Sequence, residues 1–424
     1  MMDRVRKGLG KVKPSVLAAF VMRTGAAGMS YLIFAMIGNN ASLEVYSAFA
    51  LIFAITGFCG PLASMGQVAV ALRYLPPMFQ RQDGRWRLVV RGSLRILSLG
   101  IVVFCVIALA FVGYSLDEAS PSLLLIVAAL VALTGIGEYT YTLQRTSDSV
   151  LPSILAKEVL WRVILIGIIG MHIAFGWSLS TIGLATAFLL ATALSVSLSV
   201  ADLWVRLRGR TRAHPSEPFV VPAMQTAMFF GIMLLNTAVV HLDTLILGMT
   251  SEAQEVGAYF SAQRTIQVLY FFTYSFTMFA SPAISVAFQN GSPDRVEQLS
   301  RQVSRTAGAC VVVACIILVA FAGDVLAIFR PDFRDHADIL RILCIGPLVY
   351  TLGGLHSWIP EMCGLETEYL KWRLAVSVVF LAAKLGAALS NHITLFAALS
   401  AAEICVSTAV GVALVRMRRQ IWAI

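Results

Sequence analysis

The chain has 424 residues, 58% of them hydrophobic and only 13% charged, and its mean hydropathy is +0.81, a balance that excludes a soluble globular protein. A net charge of +9 would suit a nucleic-acid binder in a soluble chain. Here, however, the arginines collect in alternate loops between apolar runs, which is the positive-inside pattern of membrane proteins, so no nucleic-acid partner is expected.

Apolar runs of about 18–25 residues recur, each long enough to cross roughly 30 Å of hydrocarbon, and none alternates as a barrel strand does. The expected fold class is therefore all-α, a polytopic membrane helical bundle. The basic leader MMDRVRKGLGKVKPS reads as a retained cytoplasmic amphipathic segment, because Arg23 interrupts what would otherwise be a signal-peptide core. Spans are expected at about Ser15 to Ile37 and Tyr46 to Leu72, joined by GNNASLE. An inner loop with six arginines and Trp86 then runs from Arg73 to Arg95 and predicts an amphipathic stretch lying on anionic headgroups. Spans three to six follow at Ile96–Tyr114, Ser122–Leu143, Ile154–Phe175 and Leu179–Val205. The basic segment RLRGRTRAHPSEP comes next, almost at mid-chain.

The second half repeats the plan, with spans at Phe219–Leu247, Val256–Phe288, Thr306–Phe329, Ala337–Met362, Leu374–Leu389 and Ile393–Val415. The sum is twelve spans with both termini cytoplasmic, as two six-helix lobes, 1–210 and 219–424, joined by a cytoplasmic linker at 211–218. IGNNASLEVYSAF after the first span parallels LGMTSEAQEVGAYFSA after the seventh. Even-numbered halves keep both repeats in one orientation, and substrate would pass between them through a central cavity.

Ionisable side chains inside such spans cost about 2.5–3.5 kcal/mol on the gentlest scale, so each needs a partner, water or a task. Arg23 lies roughly 12 Å into span one at 1.5 Å per residue. It either snorkels to headgroups or faces a cavity beside Ala27 and Ser30. Arg264 shares a helical face with Ser261, Gln267, Phe271 and Ser275 and so is expected to look into a polar interior. Gln225, Asn236 and Asp243 form a polar stripe on span seven. They serve either interhelical hydrogen bonding or the cavity, with Asp243 pairing with Arg264 as a gate or titrating as a coupling site. Lys384 and Glu403 sit at similar depth on consecutive spans and read as a salt bridge or a coupling element. Glu138, Lys157, Glu158, Asp202 and Glu361 lie near cytoplasmic helix ends and read as structural. The cysteines (Cys59, Cys105, Cys310, Cys315, Cys344, Cys363 and Cys405) fall singly, as small buried hydrophobes. The sequence has no HExxH, GxSxG or phosphate-loop motif, so no catalytic residue, metal site or cofactor is expected.

The run YLIFAMIGNNASLEVYSAFALIF with the following LRYLP, and DTLILGMTSEAQEVGAYFSAQRTIQ in the second half, resemble the polysaccharide-biosynthesis flippases of the multidrug/oligosaccharidyl-lipid/polysaccharide exporter superfamily. The resemblance implies a MATE-like bundle that moves a polyprenyl-diphosphate-linked oligosaccharide across a bacterial inner membrane for a surface polysaccharide. It also implies membrane lipids, a polysaccharide polymerase and export machinery as partners. On this reading Arg23, Arg264, Asn236, Gln225 and Gln267 are the substrate-binding candidates, and Asp243, Lys384 and Glu403 the coupling or gating candidates. A drug/cation antiporter of the same fold is the alternative, and a membrane glycan ligase or polymerase a more distant one. The cationic sign of the deepest side chains favours the first.

Overall fold

The computed structural model describes residues 14–116, 119–147, 150–208, 221–289, 292–354, 359 and 366–417, and the elements among them are all helical. The basic leader, the 211–218 linker, Glu361 and Cys363 lie outside the described residues, as do the side chains of Phe271 and Ser275.

The first half comprises α1 (Pro14–Asn40), α2 (Leu43–Leu62), α3 (Gln67–Gln80), α4 (Trp86–Ser115), α5 (Pro121–Thr146), a short α6 (Val150–Ile154), a π turn (Leu155–Leu160), α7 (Trp161–Ala174) and α8 (Thr181–Arg208). The second half begins with α9 (Ala223–Thr250), α10 (Ala253–Gln289), α11 (Pro293–Ala320) and α12 (Ala322–Ala327). A 3-10 turn (Pro331–His336) follows, then α13 (Ala337–Leu343), α14 (Ile345–Leu352), α15 (Glu366–Leu389) and α16 (Ile393–Met417). Among the described residues, nine helices are long and apolar enough to cross a membrane. The remaining expected spans fall on the interrupted α6–π–α7, on the long α10 and on the broken α13–α14. The chain is a multi-pass membrane protein.

Local chemistry sets the helix ends. Ser42 caps α2 by accepting the Val45 N–H, and Ser120 caps α5 with Pro121 at its first position. The second span is not the single helix expected from Tyr46 to Leu72. It stops at Leu62 and turns through Met65 and Gly66, both at positive φ, before α3 begins. At φ +81 Gly66 sits where a side chain is strained. The stretch expected to be amphipathic lays its apolar side against the bundle and leaves Arg73 and Arg81 exposed. α3 buries Val70, Ala71 and Leu75, Trp86 opens α4, and these pack with Tyr139 and Leu143 of α5 into a core of their own. The tenth span also breaks, at Cys344 just before Pro347, whose ring removes a backbone donor.

The main core runs through both halves and is rich in aromatic rings. Phe34 on α1 meets Phe260 on α10 edge-on at 4.7 Å, and Phe53 on α2 stacks on Phe188 of α8 at 5.6 Å. Of these rings Phe53 reaches the wall of the cavity described next, and the others pack behind it.

Candidate functional site

Between α1, α2, α5, the π turn, α7 and α10 lies a cavity of about 400 Å³. Its wall carries Arg23, Arg145, Lys157, Arg162 and Arg264, opposed by the single carboxylate of Glu158. Ala27, Ser30 and Gln267 supply small or polar surface between these charges. The α1 face of Arg23, Ala27 and Ser30 does border the cavity, so Arg23 does not merely run back to the headgroups.

Arg264 is the deepest of the cations. It lies eleven residues into α10 from Ala253, about 17 Å along the helix axis. Its guanidinium rests against the rings of Phe53 and Phe260, each 4.7 Å away, with Phe34 at 5.9 Å. Nη1 donates to Gln267 Oε1 at 3.0 Å. Nε and Nη2 are buried without a hydrogen-bond partner. The π faces hold the planar cation in place while two of its nitrogens meet no protein acceptor.

Arg162 is held differently. Its Nε donates to Ser30 Oγ at 2.6 Å, Nη1 reaches the carbonyl of Glu158, and the plane stacks on Trp161 at 4.3 Å. Lys157 is neutralised by Glu138 at 2.6 Å, whereas Arg145 Nε has no hydrogen-bond partner. The π turn aims these groups: its extra residue shifts the register, so that Lys157, Glu158 and Arg162 all reach the cavity. Lys157 and Glu158, expected to be solvated helix-end residues, are therefore cavity residues, and the sequence reading missed Arg145 and Arg162. An arginine one turn inside the apolar run VLWRVILIG is the signal that marks Arg162.

At the opposite end of the bundle, beside a wider cavity of about 1190 Å³ lined by Ser42, Ser47, Ser120, Ser180 and Ala253 among others, the two halves are joined by hydrogen bonds. Arg330 Nη1 donates to the carbonyls of Ala41 at 2.8 Å and Gly38 at 3.2 Å, and Asn39 Nδ2 donates to Ile328 O at 2.7 Å. Tyr31, which lines the cationic cavity with its other side, donates to Val325 O at 3.1 Å, and Ser47 bonds the carbonyl of Ala253. Gly38 is required there, since a Cβ would fall 2.2 Å from the Phe329 carbonyl oxygen.

The other site candidates lie elsewhere. Asp243 does not pair with Arg264. It accepts from Lys384 Nζ at 2.6 Å and from the Tyr259 hydroxyl at 2.8 Å. Tyr259 and Arg264 are five residues apart on α10, about 140° around the helix, so only one can face Asp243. Lys384 also donates to Glu403 at 2.8 Å, and Ser377 donates to the other oxygen of Glu403. One ammonium thus serves two carboxylates in a set that is at most 8% exposed. Gln225 and Asn236 do not line the cavity. Gln225 bonds Tyr74 on α3, and the exposed Asn236 accepts from Arg373 on α15 at 2.7 Å. The stripe spans eighteen residues, about 27 Å, so its three members meet three different neighbours.

No family model and no curated protein sequence matches the chain. Solved structures with the same arrangement do exist. A MATE transporter in complex with MaL6 superposes with a TM-score of 0.65 at 14% identity over 96% of each chain. An inward-facing multidrug resistance MATE family transporter of the MOP superfamily gives 0.65 at 15% identity, over 96% of this chain and 98% of that one. The lipid II flippase MurJ, in an inward closed conformation, gives 0.62 at 12% identity, over 95% and 87%. With its helices laid out alike along almost the whole length, the chain has the MATE-like fold.

Proposed function

We propose that this protein is a transporter that carries a polyprenyl-diphosphate-linked oligosaccharide across the bacterial inner membrane, for export of a surface polysaccharide. The observation that carries this reading is the cavity wall itself, with five cations against one carboxylate, set among membrane-crossing helices. A diphosphate needs several charge-assisted donors, and arginine forks supply them in pairs. About 400 Å³ accommodates a diphosphate with the first part of its glycan, and the rest would extend through the open mouth. One neighbour of the same fold is a lipid II flippase, which supports a lipid-linked substrate.

In this reading Arg264, Arg162 and Arg23 hold the diphosphate and Gln267 orients Arg264. Asp243, Lys384 and Glu403 form the coupling element, because one ammonium between two carboxylates leaves capacity for one further proton or cation. Gln225 and Asn236, outside the cavity, are assigned to helix packing. The chain is organised as two six-helix lobes, 1–210 and 219–424, joined through 211–218, with the basic end and both termini cytoplasmic. The cationic cavity then lies toward the cytoplasmic side. A drug/cation antiporter is disfavoured, because a cationic guest would meet a wall that stays net positive after Glu138 and Glu158 are set against its five cations.

The test is the sidedness of lipid-linked glycan in spheroplasts with and without the protein. Accumulation on the inner face when the protein is absent, reversed by wild type and not by Arg264→Ala, is expected. Unchanged sidedness in its absence would overturn the assignment.

A further inference from the structure

A second cavity lies at the basic end of the second half, and it shares no residue with the first. It occupies about 420 Å³ between α11, α14 and α16, where Arg301, Arg305 and Arg416 converge. Glu297 pairs with Arg301 at 2.5 Å. Arg305 and Arg416 make no ion pair among the described residues. The floor is fixed, because Ser304 donates to Leu352 O at 2.8 Å and Gly354 turns at φ +72 against Ser300.

This cationic compartment does not end blindly. It shares Leu352, Gly353, Val412 and Arg416 with an adjoining groove of about 460 Å³ that runs along α16 past Ala409 and Thr408 to Cys405. The groove exists because α16 presents small side chains, Cys405, Thr408, Ala409 and Ala413, where a bulkier series would fill it. From Arg416 to Cys405 is eleven residues, about 17 Å. That is close to half of a roughly 30 Å hydrocarbon core, the depth of one leaflet. Leu352 stands at the junction and is 54% exposed, so the groove is open to the surroundings of the bundle.

A cationic chamber at a membrane-helix end, continued by an apolar channel one leaflet deep, has the shape of an amphiphile. We propose that this site binds an anionic glycerophospholipid, with the phosphate on Arg301, Arg305 and Arg416 and one acyl chain in the groove beside Ala409. Charge selects the headgroup class, since Glu297 offsets only one of the three guanidiniums. The groove separates a lipid from free phosphate, which would have no use for it.

The test uses full-length protein in detergent, with native mass spectrometry of retained phosphatidylglycerol. Wild type is expected to hold one phosphatidylglycerol in preference to phosphatidylcholine. Arg305→Gln with Arg416→Gln is expected to weaken retention about thirtyfold, and the double lysine variant to keep most of it. Ala409→Phe, which plugs the groove without touching charge, is expected to weaken retention as well. Equal retention by the double glutamine variant would overturn the proposal, as would displacement of the lipid by inorganic phosphate alone. A polyprenyl phosphate that displaces phosphatidylglycerol here, in wild type and Arg264→Ala alike, would reassign the site to the carrier lipid and equally overturn it.

Discussion

Replacing Lys384 should cost far more stability than replacing either of its acidic partners. With Lys384→Met, Asp243 and Glu403 lose a cation that stood 2.6 and 2.8 Å away, and both remain buried. Removing one member of a buried charge set costs about 3–5 kcal/mol, because what remains is uncompensated. Asp243→Asn acts in the opposite sense. It leaves Lys384 with Glu403, a one-to-one pair, and retains a polar partner for Tyr259, so its cost is that of weakened hydrogen bonds, about 1 kcal/mol. Glu403→Gln should resemble Asp243→Asn. Combining Lys384→Met with both amide changes removes every charge and should recover most of the loss. The assay is reversible unfolding in mixed micelles with increasing denaturing detergent, following tryptophan fluorescence for all five proteins. Equal losses for Lys384→Met and Asp243→Asn, or a triple variant no better than Lys384→Met, would refute the shared-ammonium account.

Arg264→Lys should retain partial transport, since the charge survives without the fork, whereas Arg264→Ala should weaken binding of a polyprenyl diphosphate by roughly 10–100-fold, the worth of about 1.5–3 kcal/mol in charged hydrogen bonds, measured on purified protein. Adding Asp243→Ala to Arg264→Ala should not restore export, because the two side chains do not pair; recovery in the double variant would contradict that geometry. Gly38→Ala should push Phe329 away and loosen the seam between the halves at the end of the bundle remote from the cationic cavity. Maleimide labelling of Ala258→Cys, with the native cysteines replaced, should then rise from that side, and unchanged labelling would count against a seal at Gly38. Topology tags after His214 and at Ile424 should report cytoplasm, and tags in 115–120 and 250–255 periplasm; two adjacent tags on the wrong side would undo the twelve-span count.

The bundle was legible because a bilayer imposes a length, and uncharged apolar runs of that length have few other uses. Arg264 and Arg23 were legible because charge at depth is costly enough to require a reason. The departures have equally physical causes. Pro347 and Gly66 break spans that hydropathy averages into one. Arg162 follows Glu158 by four residues, and at that spacing a helix pair reads as surface decoration; only the packing of α7 against α1 turns it toward Ser30. The partner of Asp243 lies 141 residues away, a separation that no local pattern reports. On α10 the spacing fixes which residues share a face, but not which neighbour that face meets.

The bonds that join the two halves opposite the cationic cavity differ in kind from those that hold α9, α15 and α16 together. At that seam the acceptors are main-chain oxygens of Gly38, Ala41, Val325 and Ile328, close to the ends of their helices. Water can replace each donor there, so separation trades one hydrogen bond for another at a net cost of about 0.5–1.5 kcal/mol apiece. The Asp243–Lys384–Glu403 set has no such substitute and must travel intact. The molecule is therefore partitioned into a seam that solvent can unfasten and a cluster that solvent cannot. A rocking motion would part the first and carry the second as cargo, its charges never leaving one another.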